Sequence, residues 1–169
     1  FALATEKGNA EQVIKHTQQQ FNAKKGDLNL RLLLARMYSL NNQLDKTVSL
    51  LADVEGNEAS PQAFWNLKGQ ALIATNNLKD ATAFFDRWLS FYPQDKNAVL
   101  GKLLIVDSQK QFEQGLTLIN KVLAKRPDAQ LTLLKAYFHS RLGQAKPAWD
   151  IINSTAEEVR ALPFVRGVI

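Results

Sequence analysis

Cysteine is absent from this chain. That excludes disulfides, thiolate nucleophiles and Cys-based zinc sites, and leaves the compartment open. Histidine is almost absent: His16 and His139 stand alone. Neither has a carboxylate or a second histidine at i+3 or i+4, so no helical metal pair is present. His139 lies among Tyr137, Phe138 and Arg141 and reads as a helix-surface residue. No uninterrupted apolar run reaches the roughly 18–20 residues of a membrane span. The most apolar segment, Leu28 to Tyr38, is broken by Arg31 and Arg36. A phosphate-binding loop is missing, since Gly101 and Gly115 fall inside predicted helices. There is no nucleophile elbow. Asp150 and the pair Glu157–Glu158 read as solvated helix charge. These absences predict no catalytic residues, no metal and no cofactor. A dense basic stripe is also missing. Lys and Arg total 21 against 16 Asp and Glu, a net charge of +5, but the excess is scattered. Its tightest pairs, Lys24–Lys25 and Lys125–Arg126, stand at predicted helix ends, where cations favour the C-terminal dipole. Nucleic acid is therefore not the expected partner.

What is present is a period. Pro93 and Pro127 are 34 residues apart, and so are Ala35 and Gly69, Tyr38 and Leu72, and Leu44 and Leu78. A fixed spacing of this length marks a solenoid built from one repeated supersecondary unit. With 46% hydrophobic and 22% charged residues, the composition is that of a soluble folded chain. Its length suits one ordinary domain.

The clearest unit covers 62–95. Trp65, Gly69 and Leu72 share one helical face at i, i+4 and i+7. Ser60–Pro61 predicts an N-cap and a first turn. Asn76–Asn77 breaks the helix. Leu78, Ala81, Phe85 and Trp88 then form a second apolar face, closed by Tyr92–Pro93. These residues resemble the tetratricopeptide repeat (TPR), whose pattern runs Trp, Leu, Gly and Tyr, then Ala and Phe, then Pro. Here it reads Trp65, Lys68, Gly69, Leu72, Ala81, Phe85 and Pro93, with Lys68 and Leu72 departing from it.

Neighbouring units follow in register. Repeat 28–61 carries Leu34, Ala35, Tyr38, Leu44, Thr47 and Leu51, with a turn at Asn41–Asn42. Repeat 96–129 carries Leu103, Val106, Phe112, Gly115, Ile119, Val122 and Pro127. Repeat 130–162 is one residue short, and the deletion is expected in its first helix or turn. Its helices are predicted near 129–142 and 146–160, with Gly143 as the αL residue, Pro147 in a first turn, and Ala148 and Ile152 packing. A partial repeat covers 1–27. Its helix is predicted over 9–23, with Asn9 and Gln12 as a capping box, Val13 as the small packing residue and Phe21 as the anchor. A further repeat starts at 163–169. The chain begins at Phe1 without Met or a signal pattern and ends at Ile169 in an apolar stretch, which predicts a fragment of a longer protein. The apolar end residues Pro163, Phe164, Val165 and Val168 predict end-to-end self-association.

The fold expected is all-α, a right-handed TPR-like α-solenoid of antiparallel helix pairs. Gly69, Ala35 and Ala81 are small because paired helices approach closely there. The resemblance implies a concave groove lined by the first helices, and a protein or peptide partner in it. Placing the pattern on this chain gives Leu32, Arg36, Asn66, Gln70, Ile73, Leu100, Leu104 and Asp107, and in the shorter unit Leu134, Phe138 and Arg141. Apolar residues with a few polar anchors suit a peptide or an amphipathic helix. The carboxylate clamp of chaperone-binding arrays would fall on Leu32, Arg36, Leu67, Asn97 and Gly101, where only Arg36 is basic, so that ligand class is not expected. Among the aromatic residues 84–92, Phe85 and Trp88 are expected in the core. Phe84 or Tyr92 is expected either on the convex surface, as a second contact patch, or against the neighbouring repeat. The Asn- and Gln-rich turns resemble bacterial multi-TPR envelope proteins of exopolysaccharide export, pilus assembly or protein sorting, often lipoproteins. That implies an envelope or periplasmic assembly factor. The alternative is a cytosolic regulatory TPR module fused to a catalytic or DNA-binding domain.

Overall fold

The computed structural model describes residues 7–155. Among them nine α-helices and no strands follow in order: α1 Lys7–Ala23, α2 Leu28–Leu40, α3 Leu44–Leu51, α4 Gln62–Ala74, α5 Leu78–Phe91, α6 Lys96–Ser108, α7 Phe112–Leu123, α8 Ala129–Arg141 and α9 Ala145–Ser154. The chain divides into two compact units between Phe91 and Tyr92. The first holds α1 to α5, the second α6 to α9. Residues Glu157, Glu158, Pro163, Phe164, Val165 and Val168 lie outside the described residues. Helix α9 ends at Ser154, with Thr155 extended, short of the expected end near Arg160.

One turn, made four times, reverses the chain within each hairpin. Asn42, Asn76, Lys110 and Gly143 have φ of 56°, 56°, 58° and 71°. Each follows the C-cap residue of a first helix and lets two N–H groups reach back to orphan carbonyls. Gln43 N–H donates to Tyr38 O at 2.8 Å, Asn77 to Leu72 at 3.0 Å, Gln111 to Val106 at 2.8 Å and Gln144 to His139 at 2.9 Å. Glycine and asparagine tolerate this left-handed geometry, whereas lysine is strained there by roughly 1–2 kcal/mol. Lys110→Gly should therefore stabilise the protein by about 0.5–1 kcal/mol, once the larger unfolded-state entropy of glycine is subtracted. A raised urea midpoint is the expected result; an unchanged one would mean Lys110 carries no strain.

Aspartates open three of the first helices. Asp27 accepts from Asn29 N–H and Leu30 N–H at 2.9 and 3.1 Å, Asp95 from Ala98 at 2.9 Å and Asp128 from Leu131 at 3.0 Å. Helix α4 differs from expectation. Pro61, not Ser60, is its N-cap, with φ −64° and ψ 147°. Ser60 Oγ instead accepts from Asn57 N–H at 2.9 Å and closes a separate turn. The one-residue deletion is also placed differently. Asp95 and Asp128 are 33 apart while Pro93 and Pro127 are 34 apart. The missing residue thus falls between Pro127 and Asp128, ahead of α8 rather than inside it.

The core of each unit lies between its helix pairs. In the first, Leu34, Ala35, Leu51, Phe64, Trp65, Leu72, Ala81, Phe85 and Trp88 are buried; in the second, Val99, Leu103, Ile105, Val106, Ile119, Val122, Leu133 and Phe138. The second helices present a small residue at one recurring place: Thr47, Ala81, Gly115 and Ala148, all buried. The expected close approach at Gly69 is real, because a Cβ there would stand 2.9 Å from Phe85 Cζ. The packing face of α1 is shifted by one residue from expectation. The chain is already helical at Lys7, the first described residue, so Asn9 lies inside the helix and is not its cap. Ile14 and Phe21 pack with Leu34, Met37 and Tyr38, while Val13 is 41% exposed. Thr17 is buried because its hydroxyl donates to Val13 O at 2.9 Å.

Candidate functional site

Helices α6 and α8 of the second unit form a cleft. Leu100, Leu103, Leu104 and Asp107 share one face of α6 at i, i+3, i+4 and i+7. Gln130, Leu134, Tyr137 and Phe138 face them from α8. The cavity between them measures about 430 Å³. Leu103 and Phe138 are buried and make its floor, whereas Leu104 stands 59% exposed at its rim. The cleft is apolar between Gln130, on the first turn of α8, and a polar pair on the last turns of α6 and α8. There the Tyr137 hydroxyl donates to Asp107 Oδ1 at 2.8 Å. Burial, reinforced by the Asp107 carboxylate, raises the Tyr137 pKa above its ordinary value; nearby Arg141 opposes this. The phenol therefore stays a donor through neutral pH and keeps Asp107 partnered.

Five of the expected groove residues thus meet in one cavity: Leu100, Leu104, Asp107, Leu134 and Phe138. Arg141 does not line it. Its guanidinium lies 4.9 Å from the Phe112 ring centroid and 5.9 Å from that of Tyr137, and braces those rings from outside. Phe138 is 1% exposed, so it supports the cleft without offering a free face. Tyr137 takes the open position. It is the counterpart of Leu104 at a step of 33, and the shortened step after Pro127 is the signal that would have found it.

The remaining five residues lie in the first unit. Leu32 is 8% exposed and belongs to the core, while Leu33 beside it is 44% exposed. Arg36 and Gln70 are exposed; Asn66 and Ile73 are half-buried. Leu33, Arg36 and Leu40 form an exposed line on α2 at i, i+3 and i+7.

Lys68, where the TPR pattern has leucine, gains a structural role. Helix α3 ends at Leu51 and leaves its last carbonyls unsatisfied. The Lys68 ammonium donates to Leu51 O at 2.7 Å, Val54 O at 2.9 Å and Ala52 O at 3.3 Å. It also lies 5.8 and 5.6 Å from the Phe64 and Phe84 ring centroids. Burial pulls its pKa below the usual lysine range, against the opposing charges of Asp53, Asp80 and Glu55. Phe84 is buried against Trp65, Phe85 and Trp88, so it provides no convex patch. Tyr92 is half-buried.

No protein-family model and no curated protein matches the chain. Solved structures do. A crystal structure of MamA protein superposes with a TM-score of 0.76 at 16% identity, covering 91% of this chain and 84% of that one. MamA from residue 41 onward of Desulfovibrio magneticus RS-1 gives 0.72 at 16% identity, covering 95% and 87%. MamA MSR-1 gives 0.68 at 17% identity, covering 85% and 83%. The chain shares their fold. It is an all-α, TPR-like solenoid of antiparallel helix pairs. At such low identity the likeness speaks to architecture only. No helix among the described residues is long and apolar enough to cross a membrane.

Proposed function

We propose that this protein is a scaffold that binds a segment of another protein, and that the α6–α8 cleft is one of its docking sites. The supporting observation is the open apolar cavity with Leu104 exposed at its rim and Asp107 held by Tyr137 at one end. An amphipathic helix or apolar peptide matches that chemistry. In the first unit the proposed contact surface comprises Arg36, Asn66, Gln70 and Ile73, with Leu33 in place of Leu32. The repeat boundaries 28–61, 62–95, 96–129 and 130–162 belong to this proposal, with 129 moved to the start of the last repeat. The four matching turns support them. We propose further a place in a bacterial envelope, export or assembly factor, a reading supported by the Asn- and Gln-rich turns. Fractionation of the full-length gene product tests it.

Peptides selected from a display library on the purified protein test the docking site. Leu104→Glu should weaken a selected cleft-binding peptide at least about tenfold, equivalent to ~1.4 kcal/mol. Thermal stability should stay within about 0.5 kcal/mol of wild type, because the side chain is largely solvated. Peptides that bind both proteins equally would place the docking surface elsewhere.

A further inference from the structure

In the first unit, side chains of α4 and α5 hold a loop of the same chain. After α3, residues 52–61 connect to α4 without regular helix. Most of their side chains are exposed; Val54 is half-buried, and Gly56 is the one buried residue of the loop. The groups that hold its middle come from α4 and α5, and they grip main chain. Lys68 donates to the Ala52 and Val54 carbonyls at 3.3 and 2.9 Å. Arg87 Nε donates to Gly56 O at 2.5 Å, and its Nη2 faces Glu55 Oε2 at 3.6 Å. Gly56 lies on the Trp65 indole, so close that a Cβ would enter the ring. Beside the loop is a cavity of about 370 Å³, walled by Leu72, Ala83 and Phe84.

Recognition here is of backbone carbonyls, a glycine and a carboxylate. The loop's roots are anchored separately: Arg31 donates to Asp53 at 2.6 Å on one side, and the Asn57–Ser60 turn closes the other. The Arg87–Glu55 pair is exposed, 45% and 84%, and such pairs hold weakly. Lifting residues 54–56 would break that pair together with the Arg87–Gly56 and Lys68–Val54 hydrogen bonds, and would leave both roots in place.

We propose that residues 54–56 are a displaceable internal ligand, and that α4 and α5 accept in their place an extended acidic segment of a partner protein bearing a carboxylate residue followed by glycine. The incoming carbonyls take Lys68 and Arg87, the glycine takes the Trp65 face, and the carboxylate takes the position of Glu55. Lys68 and Arg87 favour an acidic segment over a basic one, against the Asp80 carboxylate that lines the same cavity. This site is separate from the α6–α8 cleft, so its failure leaves that reading standing.

The probe is a labelled peptide with the sequence of residues 52–61, titrated by fluorescence anisotropy. In wild type the loop competes, and apparent affinity falls by the fraction of molecules with the site open. Gly56→Val expels the loop and should bind the peptide at least about tenfold tighter than wild type. Adding Arg87→Ala to that variant should abolish the gain, and a peptide with valine for its glycine should not bind. Equal binding by wild type and a folded Gly56→Val overturns the proposal. Should Gly56→Val fail to fold by circular dichroism, wild type decides. Excess peptide must then shift the Gly56 amide and Trp65 indole NMR resonances together; a titration to millimolar peptide that shifts neither also overturns it.

Discussion

Trp65→Ala should lower the unfolding free energy by about 3–5 kcal/mol. Trp65 is fully buried. Its ring stacks on Trp88 at 5.6 Å and meets Phe64 and Phe84, each at 5.3 Å between centroids. Those neighbours are rigid rings on two paired helices, and Gly56 rests on the remaining indole face. The Phe64, Phe84 and Trp88 rings are held by one another, so most of the cavity cost persists. Domains of this size are stable by only about 5–15 kcal/mol, so the loss is about a fifth or more of the total. Urea denaturation followed by far-UV circular dichroism measures it. A change below about 1 kcal/mol would mean that the aromatic cluster refills the gap.

Gly115→Val should destabilise by about 1–3 kcal/mol, and Gly115→Ala should also be unfavourable. Helix propensity points the other way, since alanine is better than glycine in a helix by about 1 kcal/mol. Space decides the sign. A Cβ at Gly115 would enter the Phe138 ring. That ring is 1% exposed and lies between Phe112 and Tyr137, at centroid distances of 6.3 and 5.5 Å, so the one direction left to it is into the α6–α8 cavity. Because Phe138 is the floor of the α6–α8 cavity, a displaced ring should also weaken cleft-binding peptides. A higher denaturation midpoint for Gly115→Ala would show that Phe138 moves freely and would sink this account.

On α5, α7 and α9 the main packing residues were legible from sequence. Ala81, Phe85 and Trp88 on α5, Ile119 and Val122 on α7, and Ala148 and Ile152 on α9 are buried as their spacing indicates. Those helices have one apolar face and one polar face, so the 3.6-residue period identifies the inward side. First helices are different. Helix α2 carries Leu30, Leu32, Leu33 and Leu34 in near succession. One residue rotates the helix face by about 100°, and a run of leucines gives no contrast across that step. Hence Leu32 stood for Leu33; on α8 the shortened step after Pro127 put Phe138 in place of Tyr137. The slip at Val13 and Ile14 on α1 is of the same size.

The sequence by itself determined the all-α repeat, its 34-residue period, its helix-breaking turns and its small packing positions. Local chemistry dictates these: asparagine or glycine at a left-handed turn, aspartate at a cap, an apolar face at helical spacing. Only the tertiary structure decided which leucines face solvent, and that Lys68 and Arg87 hold the loop after α3. Those outcomes depend on where helix ends and side-chain tips fall across 14 to 31 residues of chain. Periodicity carries no information about such distances, because it records which face a residue occupies and not which neighbour meets it.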